Sequence, residues 1–572
     1  MADAFAACGL DPDHGAVVVS QRPDLCQFQC NGAFALAKSM RRNPRELAQE
    51  ILDKVDRNGM ISELSIAGPG FININLDDSW LATALRELAA EERLGCPYAE
   101  PRQKVILDFG GPNVAKLMHV GHLRSTIIGD SLQRIFRFVG HEVLSDVHHG
   151  DWGTQMGMVI TEIQGRWPDL PFFDPTWDSA YPDELPFSNS DLEEIYPAAA
   201  TRCKSNDAEM EAARRATQQL QGGLPGYRAL WERIVALSTG HMRESFAELG
   251  VTFDLWLGES HYHDQLEDMI GDLVDRGIAV SDAGAVVIKL DSEEIPPLLL
   301  EKTGGGFLYG TTDLATIRER TLKYTAQAIL YVVDKRQGLH FQQVFAAARK
   351  AGYAQDATLE HIPFGTMNGT DGRPFKTRAG GVMRLESLIQ MVRDQARLVV
   401  QAAGVGNDYP PEEQHAVADM VALAALKFAD LQNNIATDYI FDLEKFSRFE
   451  GKTGPYLQYA AVRIKSILRK AEARGVAAGA LSIGGKEERD LALQLCLFPH
   501  ALDRAHVERS PKLICDYLYE LAQVFTRFYN ECPVLNEEQA QVRESRMAFC
   551  EATLPVMLLG LDLLGIPVPE RM

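Results

Sequence analysis

The feature that most restricts the fold is a change of hydrophobic period between residues 104 and 148. A short apolar run, Lys104-Val-Ile-Leu-Asp-Phe109, gives way to a Gly/Pro loop, then to a helical pattern from Gly121 to about Val139, then to a second extended run from Glu142 to His148. Strand, helix, strand in that order builds a parallel sheet, because parallel neighbours need a crossover and the helix supplies it. Ligands of such sheets bind outside the carboxyl ends of the strands. A further apolar run, Ala328-Ile-Leu-Tyr-Val-Val333, is predicted to join the same sheet.

A chain of 572 residues needs several cores, three or four at roughly 150 residues each. Residues 1–95 read as a small α/β module. Asn43, Pro44 and Glu46 stand at the N-cap, first-turn and capping-box positions of a helix running to about Val55. Ser65 to Leu76 alternates apolar residues around Gly68-Pro69-Gly70, as a strand broken by a turn does, and a helix from about Ser79 to Glu92 follows. Residues 100–384 form the parallel-sheet domain, with an insertion at about 165–300 in which no chemistry is legible. Residues 385–452 are a helical connection and residues 453–572 an all-α end, with long apolar stripes such as Met420 to Leu431 and Leu513 to Tyr529. The fold class expected is therefore α/β: a Rossmann-like parallel-sheet domain with an N-terminal α/β domain and a C-terminal all-α helical-bundle domain.

Composition excludes some classes. No run of roughly 18 apolar residues is available to span a bilayer, and the small, acidic start from Met1 to Leu10 has no basic segment of a secretory or import signal. A cytoplasmic protein without membrane contact is expected. Nine cysteines, an odd count without a CxxC pair, argue against a disulfide framework or zinc ribbon, so Cys26 and Cys30 read as buried small hydrophobes. The net charge of −22 argues against a nonspecific nucleic-acid coat. A local basic stretch from Lys445 to Arg474, interleaved with Phe446, Phe449, Tyr456 and Tyr459, could meet RNA, or be a solvated helix face over core aromatics.

The strongest chemical signal is Pro112-Asn113-Val-Ala-Lys116-Leu-Met-His119-Val-Gly121-His122, at the step from strand to helix. Backbone N–H groups at a helix start attract anions, Gly121 admits a phosphate or nucleotide close to the main chain, and two imidazoles can project from one side of the turn. Such a set suits a phosphate that gains charge during reaction. Taken alone, two histidines three residues apart more often cap or pack a helix, and the spacing is not that of a HExxH zinc helix.

His119-Val-Gly-His122 resembles the HIGH signature of the class I aminoacyl-tRNA synthetases, and residues 112–130 resemble its arginyl-tRNA synthetase version. The resemblance runs through Gly150-Asp-Trp-Gly-Thr-Gln155, Tyr331-Val-Val-Asp-Lys-Arg-Gln337, His340-Phe-Gln-Gln343, Thr453-Gly-Pro-Tyr-Leu-Gln-Tyr459 and the closing Pro569-Glu-Arg-Met572, and includes Phe28 to Asn31 and Gly68 to Asn73 near the start. It implies a class I catalytic domain over 100–384, a domain over 1–95 that contacts the tRNA elbow, and an anticodon-binding domain over 453–572. It further implies that Asp313 and Tyr309 read a guanidinium while Asp108, Asn113 and Gln337 hold the rest of the arginine, with His119 near its carboxylate. Spacing alone would make Asp313 the cap of a helix from Leu314 to Tyr324, worth about 1 kcal/mol.

The second class I signature, KMSKS, departs from the pattern. Gly372-Arg373-Pro374-Phe375-Lys376-Thr377-Arg378 stands in its place, with Pro374 and Thr377 at its lysine positions. In the family the lysine before HIGH, here Lys116, is thought to compensate. Gly110-Gly111 also replaces a usual pair of serines before Pro112. The implied mechanism is in-line attack of the arginine carboxylate on the ATP α-phosphate. His119, Gly121 and His122 hold ATP and stabilise the α-phosphate, while Lys116, Lys376 and Arg378 neutralise pyrophosphate. Mg²⁺ is carried on the phosphates with no dedicated protein site, and the tRNA(Arg) 2′-OH then takes the acyl group. A monomer is expected. Two other readings stay open on sequence: a tRNA-binding paralogue with a dead site, and a HIGH-type nucleotidyltransferase that never touches RNA.

Overall fold

The computed structural model describes residues 1–22, 24–292, 294–303, 306–373, 375 and 383–572. They form two compact units, one of Met1–Cys96, Arg463–His500 and Tyr519–Leu558, the other of Pro97–Val462, Ala501–Leu518 and Leu559–Met572.

In the first unit β1 (Val17–Val19), β2 (Phe28–Cys30), β3 (Ile61–Ala67) and β4 (Phe71–Leu76) make an antiparallel sheet in the order β1-β2-β4-β3. The expected broken strand is the β3–β4 hairpin. Gly70 at its turn has φ +119°, and a Cβ there would lie 2.6 Å from the Pro44 carbonyl oxygen, so only glycine fits. Asn43 caps the helix Pro44–Leu52 by accepting from the Arg45 N–H at 3.0 Å. The apolar face of that helix, Leu47, Ala48 and Ile51, buries against Ile72 and Ile74 of β4. Cys26 and Cys30 are buried free thiols, as their composition implied.

The second unit contains the parallel sheet. β5 (Lys104–Asp108) and β6 (Glu142–Asp146) flank the crossover helix Val120–Phe138. After them a small antiparallel sheet, β7 (Val280–Asp282), β8 (Ala285–Ile288) and β9 (Leu298–Glu301), lies at the end of the insertion. β10 (Ala328–Asp334) and β11 (Thr358–Phe364) complete the main sheet in the order β11-β10-β5-β6, all parallel. The chain leaves β5 for β6 on one side and returns as β10 on the other, so the order reverses at the carboxyl ends of β5 and β10, where a crevice opens. The sequence pattern did not announce β11. It is an edge strand, half polar, with Pro363 near its end, and edges tolerate both.

The apolar stripe of the helix Pro411–Leu431 also carries two fully buried charges. Lys427 Nζ reaches Asp130 Oδ2 at 3.1 Å, and Asp430 Oδ2 accepts from Arg124 Nε at 3.0 Å, so this helix is pinned to Val120–Phe138 by ion pairs as well as by packing. Among the described residues no helix is long and apolar enough to cross a membrane.

Removing one partner of a buried pair strands the other charge. Arg124→Met should therefore lower stability by about 3–5 kcal/mol. The double variant Arg124→Met/Asp430→Leu should recover most of the loss. Thermal melts of the three proteins check this, and equal losses in single and double variants would contradict it.

Candidate active site

Local sequence dictates the start of the Val120–Phe138 helix. His119 is extended at its N-cap, and its Nδ1 accepts from the Gly121 N–H at 3.0 Å, while His122 Nδ1 accepts from the His119 N–H at 3.1 Å. The histidines therefore do cap the helix, each satisfying a donor of the first turn. That capping also fixes their chemistry. With Nδ1 accepting, the proton of each neutral ring sits on Nε2. The rings lie 4.1 Å apart, tilted by 33°, and a Cβ at Gly121 would strike the His119 ring at 2.6 Å. Burial, then the neighbouring ring, pushes the His122 imidazole down to about 3, and burial followed by Lys116 lowers that of His119. Both rings are neutral donors at pH 7.

The loop before them is anchored rather than loose. Gly110 has φ +89°, its N–H donates to Ser125 Oγ at 2.8 Å, and that hydroxyl donates to the Val332 carbonyl at 2.6 Å. The glycine that departs from the family's usual serine thus serves a left-handed turn tied to the helix and to β10. Asn113 pairs with Gly150, where a Cβ would lie 2.4 Å from the Asn113 Oδ1 and 3.6 Å from Glu259 Oε1.

Asp108, Asn113, His119, Gly121, His122 and Gln337 all line one cavity of about 450 Å³ at the carboxyl ends of β5 and β10, together with Gly110, Ser125 and Phe375. Tyr309 and Asp313 are not in its lining. Both sit on the helix Tyr309–Leu322, near Glu259. That helix starts at Tyr309 and not at Leu314, so Asp313 lies inside it and is no cap. The Asp313 carboxylate Oδ2 accepts instead from His340 Nε2 at 2.5 Å, a contact that raises the His340 imidazole above its ordinary value. Lys116 holds its ammonium 4.4 Å from the Tyr196 ring centre, a cation–π contact. Lys376 and Arg378 lie outside the described residues, although Phe375 lines the cavity and the Met383 carbonyl accepts from the Val120 N–H at 3.0 Å.

Asp108 is buried and already engaged. Arg320 Nη2 donates to Asp108 Oδ2 and to Asp146 Oδ2, each at 2.7 Å. Among the described residues Asp108, Asp146 and His148 form the one cluster with metal-ligand spacing. The guanidinium supplies positive charge to both carboxylates there, which opposes a bound cation.

No chemistry is legible in the insertion's sequence, yet the structure brings two of its side chains to this region. Tyr196 comes from its helix Asn189–Ser205, and Glu259 begins its short helix Glu259–Gln265. Burial first, then Asp151 and Asp313, pushes the Glu259 carboxyl up to about 8. Among the described residues no side chain donates to it. Asp313 and Glu259 come from separate elements beside the Tyr309 phenol, Asp313 paired with His340 and Glu259 with no side-chain donor, a set of acceptors that suits a planar cation.

Comparison with known proteins accords with this geometry. The family model "tRNA synthetases class I (R), catalytic domain" matches residues 84–443, the DALR anticodon binding domain matches 457–572, and the arginyl tRNA synthetase N-terminal domain matches 1–76. The chain belongs to the arginyl-tRNA synthetase family. It is 47% identical to the arginine–tRNA ligase of Maricaulis maris and 46% identical to that of Alkaliphilus oremlandii, in each case over 100% of this chain and 98% of the relative. Among solved structures, the arginyl-tRNA synthetase of Plasmodium falciparum superposes with a TM-score of 0.81 at 26% identity, covering 97% of this chain and 94% of that one. The Thermus thermophilus arginyl-tRNA synthetase gives 0.80 at 25% identity, covering 100% and 98%. Membership of this family brings ATP use and a class I catalytic fold.

Glu259 gives the site a pH signature. A carboxyl raised from 4.5 to about 8 binds its proton more tightly in the folded chain, so folded stability falls as pH rises through that window. Glu259→Gln removes the fall. In ligand-free protein the variant should gain on the wild type between pH 5 and pH 8.5, by on the order of 1–3 kcal/mol at the upper end. A difference in melting temperature that stays constant with pH would contradict this.

Proposed function

We propose that this chain activates L-arginine with ATP to arginyl-adenylate and transfers the arginyl group to the 3′ end of tRNA(Arg), the chemistry being carried by the His119–His122 pair and the substrate choice by Asp313 and Glu259. The observation that carries the reading is the juxtaposition, across Gly150, of the histidine-lined cavity and two neighbouring acids, of which Glu259 has no side-chain donor among the described residues.

Arginine spans the two. Its guanidinium meets Asp313, Glu259 and Tyr309, and its α-amino and carboxylate groups meet Asp108, Asn113, Gln337 and His119. The carboxylate oxygen attacks the ATP α-phosphorus, the bond to the β-phosphate bridging oxygen breaks, and pyrophosphate leaves with that electron pair. The Nε2–H groups of His119 and His122 donate to the α-phosphate oxygens as charge builds there, and Gly121 admits them close to the helix start. Lys116 moves off Tyr196 to the leaving pyrophosphate, joined by Lys376 and Arg378 from the segment bordered by Phe375 and Met383. The terminal adenosine 2′-OH then attacks the carbonyl carbon of the adenylate, and AMP leaves. Positioning and electrostatics suffice, with no protein nucleophile.

ATP arrives with Mg²⁺ held by its own phosphates. The lining carboxylates do not suit a protein-held ion, since Asp108 is bound by Arg320 and Asp334 by Arg336 at 2.7 Å. Domain roles follow the same reading: 1–95 on the tRNA elbow, 100–384 catalytic, 385–452 connecting, 453–572 on the anticodon. Lys445, Arg448 and Lys452 of the basic stretch line a second cavity of about 570 Å³, which suits RNA backbone nearby. The chain works as a monomer in the cytoplasm.

Arginine-dependent exchange of pyrophosphate into ATP, measured with and without tRNA, tests the assignment. His119→Ala and His122→Ala should each lose about 100- to 1000-fold in rate. Unchanged exchange in both would remove the pair from the mechanism, and charging with lysine as readily as with arginine would remove the acids from substrate choice.

A further inference from the structure

Glu259 and Asp313 stand on different elements, near enough for the Asp313 charge to act on the Glu259 carboxyl, and something must hold the two groups at one spacing. No side chain among the described residues donates to Glu259, while Asp313 is held by His340, so the spacing of the two carboxyl groups depends on how their elements are joined. The main chain at Glu259 is fixed on one side: its N–H donates to the His149 carbonyl at 3.1 Å, and the next residue, Ser260, donates both N–H and Oγ–H to the buried Asp151 carboxylate at 2.9 and 2.6 Å. On the other side the turn reaches across to the Asp313 helix. His261 Nε2 lies 3.1 Å from both carboxylate oxygens of Glu319, and Gln265 Nε2 donates to Glu319 Oε2 at 3.2 Å. Glu319 also accepts from Lys323 Nζ, one turn further on, at 2.8 Å. Its carboxylate is 7% exposed and has donors on both oxygens.

We infer that the Glu319–His261 contact is a spacer for substrate choice, a pair of positioning residues that sets the distance between the Glu259 and Asp313 carboxylates and so the length of cationic side chain the pocket takes. Glu319 follows Asp313 by six residues on one rigid helix, and His261 follows Glu259 by two on one short turn, so the contact fixes turn against helix. Neither residue touches the amino acid. The inference rests on the reading that Glu259 and Asp313 grip the guanidinium.

His261 is about a third exposed, so its replacement should leave the fold intact. His261→Ala should raise the arginine KM in pyrophosphate exchange about 10-fold or more with kcat within about 3-fold, since the loss is in ground-state and transition-state binding alike. The same variant should narrow the preference for arginine over homoarginine, whose chain is one methylene longer. His261→Gln, which keeps an N–H donor toward Glu319, should restore most of both. On a Glu259→Gln background the further effect of His261→Ala should vanish. If Glu259→Gln itself leaves the arginine KM unchanged, the guanidinium reading falls. If Glu259→Gln raises KM but His261→Ala does not, or costs the same on both backgrounds, that reading stands and the spacer is overturned.

Discussion

One buried guanidinium organises the catalytic unit. Arg320 is 1% exposed, and through a single nitrogen it joins the carboxylates that end β5 and β6. Strand ends normally diverge with the twist of the sheet. Here the Tyr309–Leu322 helix is tied to both at once, which sets where Tyr309, Asp313 and Glu319 stand relative to the crevice. The arrangement is costly in isolation: Nε and Nη1 of Arg320, the hydroxyls of Tyr262 and Tyr331 and both ring nitrogens of His148 are buried without protein partners. Burial raises the Asp108 carboxyl while Arg320 works against it, and the two acids together hold the guanidinium firmly charged. A buried network of this kind stabilises little by itself but leaves few alternative packings, which is what a substrate pocket needs.

From that hub the site divides by electrostatics. At the cavity two neutral imidazoles stand at a helix N-terminus with Lys116 near by, and the lining acids Asp108 and Asp334 are each paired with an arginine; toward Glu259 and Asp313 acids outnumber cations. An amino acid with a carboxylate at one end and a cation at the other has one favourable orientation in such a field. The neutrality of His119 follows from its burial and from Lys116, that of His122 from its burial and from the His119 ring, and it leaves both as hydrogen-bond donors whose strength rises when an anion arrives.

How much of this was legible depends on whether the signal was local. The strand–helix–strand unit, the capping histidines and the Asn43 cap are written in contiguous residues, where periodicity and cap chemistry operate, and these elements stand close to where the pattern put them. β11 was missed because an edge strand carries no clean apolar run. The start of the Asp313 helix was misplaced because Thr311 and Thr312, weak helix formers, are buried against the β9 segment, and Thr311 Oγ1 donates to the Leu300 carbonyl at 2.5 Å. Tertiary contact overrode propensity there. Glu259 was invisible for a stronger reason. It sits in an insertion, in a Gly-Glu-Ser-His stretch with no pattern of its own, and its meaning comes only from Gly150, Asp151 and Asp313 closing round it.

That last case bears on how selectivity can be built. A single carboxylate accepts any cation, so Asp313 alone would hold a lysine ammonium nearly as well as a guanidinium. Two carboxylates on separate elements impose a distance, and a planar fork with donors on both edges meets that distance where a compact ammonium cannot. On the proposed reading the discrimination resides in the frame that separates the acids, Arg320 under the helix and Asp151 under the Glu259 turn, as much as in the acids themselves. It also explains why the turn glycine before Glu259 is required: a Cβ at Gly258 would lie 2.3 Å from the Asp151 carboxylate and push the turn off its anchor.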